Sequence, residues 1–341
     1  FWSMSLINWR GIKTSARFST FCAFAGSLLP MAIIICLGFI WLGLHKPLEI
    51  SLSAQAMIPS LHQHGASHMW VALTGIMLSF CGMEIATVHG ANVKNPQRTY
   101  PIAMLISTLI IILTLVFGSL AIAIVIPANK ISLVAGIMEA FYAFFHAYHL
   151  AWILPLVALF LIIGGLGSVN NWIIAPTRGL LYAAQDGLLP NHLSKTNANN
   201  APANLLWYQA IIVTILCSVF LLLPSVNASY WLLTALAAQL YMFMYILMFA
   251  AAIVLRFKFA DKKRPYAIPG GILGMIIVAG IGIIGAILTV VVGFIPPSNI
   301  RIGSTFNYES LLIFGLIIMS LPPLILAKRK YKPSPTLVEE S

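Results

Sequence analysis

The chain has 341 residues, 60% hydrophobic and only 8% charged, with a mean hydropathy of +0.95 and a formal net charge of +11. Soluble domains carry about a quarter charged residues, so this composition excludes a water-soluble globular protein and requires an integral membrane one. The basic excess would suit nucleic acid or acidic substrates, but its placement along the chain assigns it to membrane topology, not to a partner-binding patch.

A bilayer core of about 30 Å takes about 20 helical residues. Apolar runs of that order recur at 18–44, 68–90, 101–126, 150–176, 203–224, 229–255, 270–295 and 309–327. They do not alternate in polarity as barrel strands do. A spanning backbone must satisfy its own hydrogen bonds, so each run is expected to be a helix. The fold class is therefore all-α, polytopic, with about eight transmembrane helices. The opening FWSMSLIN reads as the tail of a helix, not a signal peptide, because no charged region precedes a short apolar stretch. The chain is expected to begin inside a longer protein. Between the third and fourth runs, residues 127–149 are too amphipathic to span, and a short interfacial or re-entrant helix is expected there. Cys22, Cys36, Cys81 and Cys217 all fall inside predicted spans and are expected to be buried and unpaired.

With a cytoplasmic first loop, 16 of the 19 basic residues fall on one side, leaving Lys46, Lys130 and Arg301 on the other. Retained positive loops set orientation in this way. Eight spans then return the tail KRKYKPSPTLVEES to the cytoplasm.

Glu84 is read as the only acidic residue within a span. A carboxylate at the centre of a membrane helix costs about 3 kcal/mol or more, so it should face protein or water and have a partner. It could snorkel toward Lys94 or Arg98. Alternatively, Ser79, Cys81 and Gly82 just before it mark an unwound segment whose free backbone dipoles hold a ligand, with Glu84 bracing the break or handling protons. In the fourth span, Gly164, Gly165 and Gly167 permit close packing. Ser168, Asn171 and Trp172 share a helix face, as a cavity wall or, for Trp172, an interfacial belt. In the sixth span, Tyr241 and Tyr245 stack one turn apart on the face of Thr234 and Ala238, as ordinary packing or as a binding surface. His62, His64 and His68 fall on the outer side and are candidates for pH sensing. No cysteine or carboxylate completes a metal set with them. No GxSxG, HExxH or phosphate-cradling GxxxxGK[ST] occurs, so catalysis is the weakest functional class.

The stretch SFCGMEIATVHGANVKNPQRTYPIAML, with F-x-G-x-E followed by N-P-x-R-x-x-P-x-A, resembles the sixth helix and following loop of the amino acid–polyamine–organocation superfamily. APTRGLLYAAQDGLLP and RPYAIPGG resemble its eighth-helix end and the loop between helices ten and eleven, and IPANKISLVAGIMEAF and FIPPSNIRIGST resemble its bacterial glutamate/γ-aminobutyrate antiporter branch. The resemblance implies a twelve-helix transporter whose first ten helices form two inverted five-helix repeats, with this chain supplying helices five to twelve. Residues 1–255 would hold helix five and the second repeat, 256–327 two accessory helices, and 328–341 a short basic cytoplasmic tail. It also implies that the Gly-rich first helix, which shares the substrate site, is not in this chain, and that a C-terminal plug is absent.

By the same resemblance, Ser79, Phe80, Cys81 and Gly82 form the unwound segment, Glu84 is the family's glutamate, Trp172 the gate, and Tyr241 and Tyr245 line the path. Ser168 stands where the pattern carries an acid one turn before the tryptophan, a departure that bears on the side chain accepted. The implied function is amino-acid exchange in the bacterial inner membrane, external glutamate for internal γ-aminobutyrate, linked to acid resistance and needing no metal or organic cofactor. The implied partners are small amino-acid substrates and the lipid bilayer, not nucleic acid. The residues alone leave open another amino acid or a polyamine as cargo, a non-transporting amino-acid sensor, and an inactive remnant.

Overall fold

The computed structural model describes residues 1–53, 66–127, 130–223, 225–262, 264, 266–297 and 304–327. His62, His64 and the tail 328–341 lie outside these, and the backbone of His68, but not its side chain, is described. Among the described residues every regular element is helical. In chain order these are α1 (Trp2–Trp9), α2 (Ile12–Ala23), a π-helical turn (Phe24–Leu28) and α3 (Leu29–Gly43). Next come α4 (Ala66–Ser79), a 3₁₀ stretch (Met83–Asn92), α5 (Pro96–Ala123), α6 (Gly136–Ala147) and α7 (Leu154–Gln185). Last are α8 (Ala203–Cys217), α9 (Val219–Leu222), α10 (Val226–Lys258), α11 (Gly271–Val292) and α12 (Thr305–Ala327).

Eight helical segments of the described residues are long and apolar enough to cross a bilayer, and they coincide with the eight predicted runs. Their outward surfaces remain apolar, with Leu247, Ile284 and Phe314 all exposed. Lipid, not water, is the solvent such surfaces suit. The second predicted span, 68–90, is interrupted where the unwound reading of Ser79–Gly82 put the break: it is α-helical to Ser79, and its continuation from Met83 is 3₁₀-helical rather than α-helical. The last helix starts at Thr305 and takes in Glu309, which the sequence reading put at its edge.

Three apolar clusters hold the helices together. Ile34, Leu37, Ala121, Phe141, Phe144 and Val157 join α3, α5, α6 and α7. The expected short helix within 127–149 is α6, which packs Phe141, Phe144 and Phe145 into this cluster. Val71, Trp231, Leu232, Leu236, Tyr308 and Leu312 join α4, α10 and α12. There Trp231 Nε1 donates to Tyr308 Oη, and Tyr308 Oη donates to the Gly293 carbonyl, both at 3.1 Å, which satisfies the polar atoms those rings bring inside. Met4, Ile173 and Leu206 join α1, α7 and α8.

Two of the three glycines of the fourth span make the expected close approach. A Cβ on Gly164 would overlap the backbone of Gly26, and one on Gly167 would overlap Cys22, whereas Gly165 faces open space. Glycine here lets α7 touch the α2–α3 rod backbone to backbone. The cysteines are free, but only Cys22 is fully buried; Cys81 is half-buried, and Cys36 and Cys217 are exposed on the apolar surface, contrary to expectation. A thiol is apolar enough to face lipid as readily as protein.

Candidate functional site

The break in α4 follows from local chemistry. The Phe80 and Cys81 N–H groups close tight turns onto the carbonyls of Met77 and Leu78 at 3.2 and 3.0 Å, and Gly82 then takes φ +95°. That conformation suits glycine and strains other residues. Turning there removes the Gly82 N–H from the helical ladder. It donates instead to Glu84 Oε2 at 3.0 Å and, more weakly, toward Tyr245 Oη at 3.4 Å. Tyr245 Oη in turn donates to the same Glu84 oxygen at 2.6 Å. Glu84 is therefore a brace. Its carboxylate ties the open end of α4 to α10, and the partner is a phenol and an amide, not the snorkelling contact to Lys94 or Arg98.

An aromatic wall continues from this brace. Tyr245 meets Tyr241 edge-on with ring centroids 6.0 Å apart, and Tyr241 meets Trp172 of α7 at 5.7 Å. A Cβ on Gly82 would lie 3.2 Å from the Trp172 ring, so the indole packs on the turn itself. Trp172 is placed by its own backbone as well. Pro176 has no N–H to return to the Trp172 carbonyl, and Gln209 Nε2 of α8 fills that vacancy at 3.2 Å. One position before the Asn171–Trp172 pair, Asn170 is fully buried. It accepts from Asn8 Nδ2 at 2.8 Å and donates to Ser19 Oγ at 2.7 Å, pinning α7 to α1 and α2.

Two cavities flank the wall. One of about 580 Å3 is lined by Ser19, Thr20, Cys81, Gly82, Asn171 and Trp172. The other, about 490 Å3, is lined by Glu84, Pro176, Gly179, Tyr241 and Met244. Ile85 and Ala175 border both. Each volume falls in the range of small-molecule sites, about 300–1,000 Å3.

The family model for amino acid permeases matches residues 1–318. The chain belongs to the amino acid permease family. Among curated proteins it is 43% identical over 96% of its length to an uncharacterized transporter of Legionella pneumophila, covering 70% of that protein. It is 30% identical over its whole length to a glutamate/gamma-aminobutyrate antiporter of Lactococcus lactis, covering 68% of it. A probable agmatine/putrescine antiporter of the same species is 25% identical over 72% of the chain. The permease is thus a multi-pass membrane protein of a family that transports amino acids.

Of the ten candidate site residues, the permease fold gathers Cys81, Gly82, Glu84, Asn171, Trp172, Tyr241 and Tyr245 around the break and its two cavities. Phe80 is in the turn itself, and Ser79 turns its hydroxyl back onto the Gly75 carbonyl at 2.9 Å. Ser168 is exposed and lines neither cavity. Sequence reasoning missed Ser19 and Thr20, whose signal was a hydroxyl pair just inside an apolar run. It also missed Gln209, whose role appears only once Pro176 is seen to free a carbonyl.

Proposed function

We propose that the protein is an amino-acid antiporter of the bacterial inner membrane, exchanging external glutamate for internal γ-aminobutyrate by alternating access, with its C-terminus cytoplasmic. In this reading residues 1–255 form helix five and the second repeat of the transport core, and 256–327 the two accessory helices. The observation that carries it is the interrupted α4 meeting the Trp172–Tyr241–Tyr245 wall at a cavity. Open backbone at membrane depth is tolerated only where protein or a solute-filled space covers it. Broken helices of this kind hold the charged ends of small substrates in secondary transporters.

The roles follow from the geometry. Backbone groups of Ser79–Gly82 and the Asn171 amide receive the substrate's head group. Trp172 closes over it by stacking, and Tyr241 and Tyr245 line the route inward. The Glu84–Tyr245 bond forms in one rocking state and breaks in the other, so the acid acts through protein contacts and no covalent chemistry occurs. Antiport of glutamate is favoured over polyamine exchange by the whole-length likeness to the Lactococcus antiporter. The outer histidines His62, His64 and His68 suggest activation by acid, as protonation near pH 6 would allow.

Liposomes containing the protein expressed from its complete reading frame test this. Labelled glutamate should enter vesicles loaded with γ-aminobutyrate much faster than empty ones, and faster at pH 5 than at pH 8. Equal rates in loaded and empty vesicles would refute exchange. A pH profile unchanged after replacing the three histidines with Asn would remove them from the account.

A further inference from the structure

A third cavity, about 270 Å3, lies away from the proposed substrate path, where the end of α10 meets the start of α11. Arg256, Arg264 and Tyr266 line it together with Gly271, the first residue of α11. Two features make it attractive to an anion. The first turn of α11 carries no acidic side chain, so the positive end of a 22-residue helix dipole stands uncompensated. In addition, the Arg264 guanidinium donates to four backbone carbonyls, those of Leu255 at 3.2 Å, Phe259 at 2.9 Å, Ala260 at 3.5 Å and Lys262 at 3.3 Å, which engages both terminal nitrogens and fixes a positive charge at the rim. The turn that leads into α11 keeps this end uncovered. Gly270 and Gly271 take φ +84° and +63°, and a Cβ on Gly271 would meet open space.

The flanks are suited to acyl chains. Leu255 and Met275 line the cavity, and Val254, Ile272, Leu273 and Ile276 around them are exposed on the same apolar surface that the spans present to the bilayer. A phosphate bound here would have its tails already in lipid. We propose that this cavity is a binding site for the phosphate of an anionic phospholipid, with Arg256 as its principal ligand, Tyr266 and the α11 backbone N–H groups completing the cradle, and Arg264 contributing its fixed charge at the rim. Arginine suits the task because its planar fork meets two phosphate oxygens at once, and basic pockets between membrane helices bind anionic head groups for that reason. The site is independent of which substrate the protein moves.

Native mass spectrometry of the whole protein, with phosphatidylglycerol and phosphatidylcholine offered in equal amounts, tests the assignment. The wild type should retain one phosphatidylglycerol in preference, and that lipid should raise its Tm. Arg256→Gln should lower phosphatidylglycerol retention about tenfold, in keeping with one lost charge-assisted contact, and Arg256→Lys should fall between. Lys195→Gln, a basic residue outside the cavity, should change nothing. Three results would overturn the proposal. They are equal retention of the two lipids by the wild type, unchanged retention by both Arg256 variants, and release of the bound lipid by excess inorganic phosphate, which would assign the pocket to a soluble anion.

Discussion

Tyr245→Phe deletes one oxygen and leaves the aromatic wall in place, so it isolates the brace. In the structure that oxygen donates to Glu84 Oε2 at 2.6 Å and receives the Gly82 N–H at 3.4 Å. A hydrogen bond to a charged group contributes about 1.5–3 kcal/mol. Glu84 and Tyr245 are half-buried, which favours the lower end, about 1.5 kcal/mol, or roughly tenfold in an equilibrium. Cys81 is a built-in reporter of that equilibrium. It sits in the turn, lines the larger cavity, and its thiol rests on the Met77 carbonyl at 3.3 Å. With Cys36 and Cys217 replaced by Ser, Tyr245→Phe should raise the rate at which a water-soluble maleimide labels Cys81 about tenfold. Glu84→Gln should raise it by a similar factor, and the double variant by little more than either alone, because both remove the same contact. Labelling at the wild-type rate in both single variants, or fully additive effects, would show that the turn holds its shape without the brace.

Three further expectations follow from the same geometry. Gly82→Ala should lower stability by about 1–3 kcal/mol through its positive φ and its crowding of Trp172, while Gly75→Ala, in open space within α4, should stabilise by up to about 1 kcal/mol; thermal unfolding of the two variants side by side checks the contrast. Asn170→Ala removes the bonds that tie α7 to Asn8 and Ser19, although Asn8 Nδ2 keeps the Met4 carbonyl, and should cost about 1–3 kcal/mol, whereas Asn171→Ala, at the cavity wall, should leave Tm nearly unchanged and raise the KM for exchange. Burial lifts the Tyr148 phenol above its usual value, and its hydroxyl has no hydrogen-bond partner among the described residues. The folded state then keeps its proton while the unfolded chain loses it, so stability should fall as pH rises past about 10, and Tyr148→Phe should blunt that fall.

The spans were legible because twenty apolar residues in a row admit one solution in a bilayer. A break near Gly82 was one of two readings open from the residues, a glycine among small polar residues beside an acid, and the family resemblance put it at Ser79–Gly82. What the local sequence could not carry was partnership across distance. Glu84 had two adjacent cations as plausible partners, yet its carboxylate finds a phenol 161 positions away. The shared face of Ser168, Asn171 and Trp172 is a helical fact, yet Asn171 and Trp172 border the cavity with Ser19 and Thr20 of α2 while the serine stays outside it. Likewise the 3₁₀ continuation over Met83–Asn92 is indistinguishable from an α-helix by hydropathy. It is tied down by α5, where Tyr100 Oη reaches the Ala86 carbonyl at 3.0 Å and Thr108 reaches Met83.

The touching backbones of Gly26 and Gly164 limit how the molecule can work. A seam without side chains has no rotamers to rearrange and so no play. The rods it joins must travel as a welded pair, and any rocking has to be taken up at seams where bulky groups can slide, such as the ring of Trp172 against Tyr241.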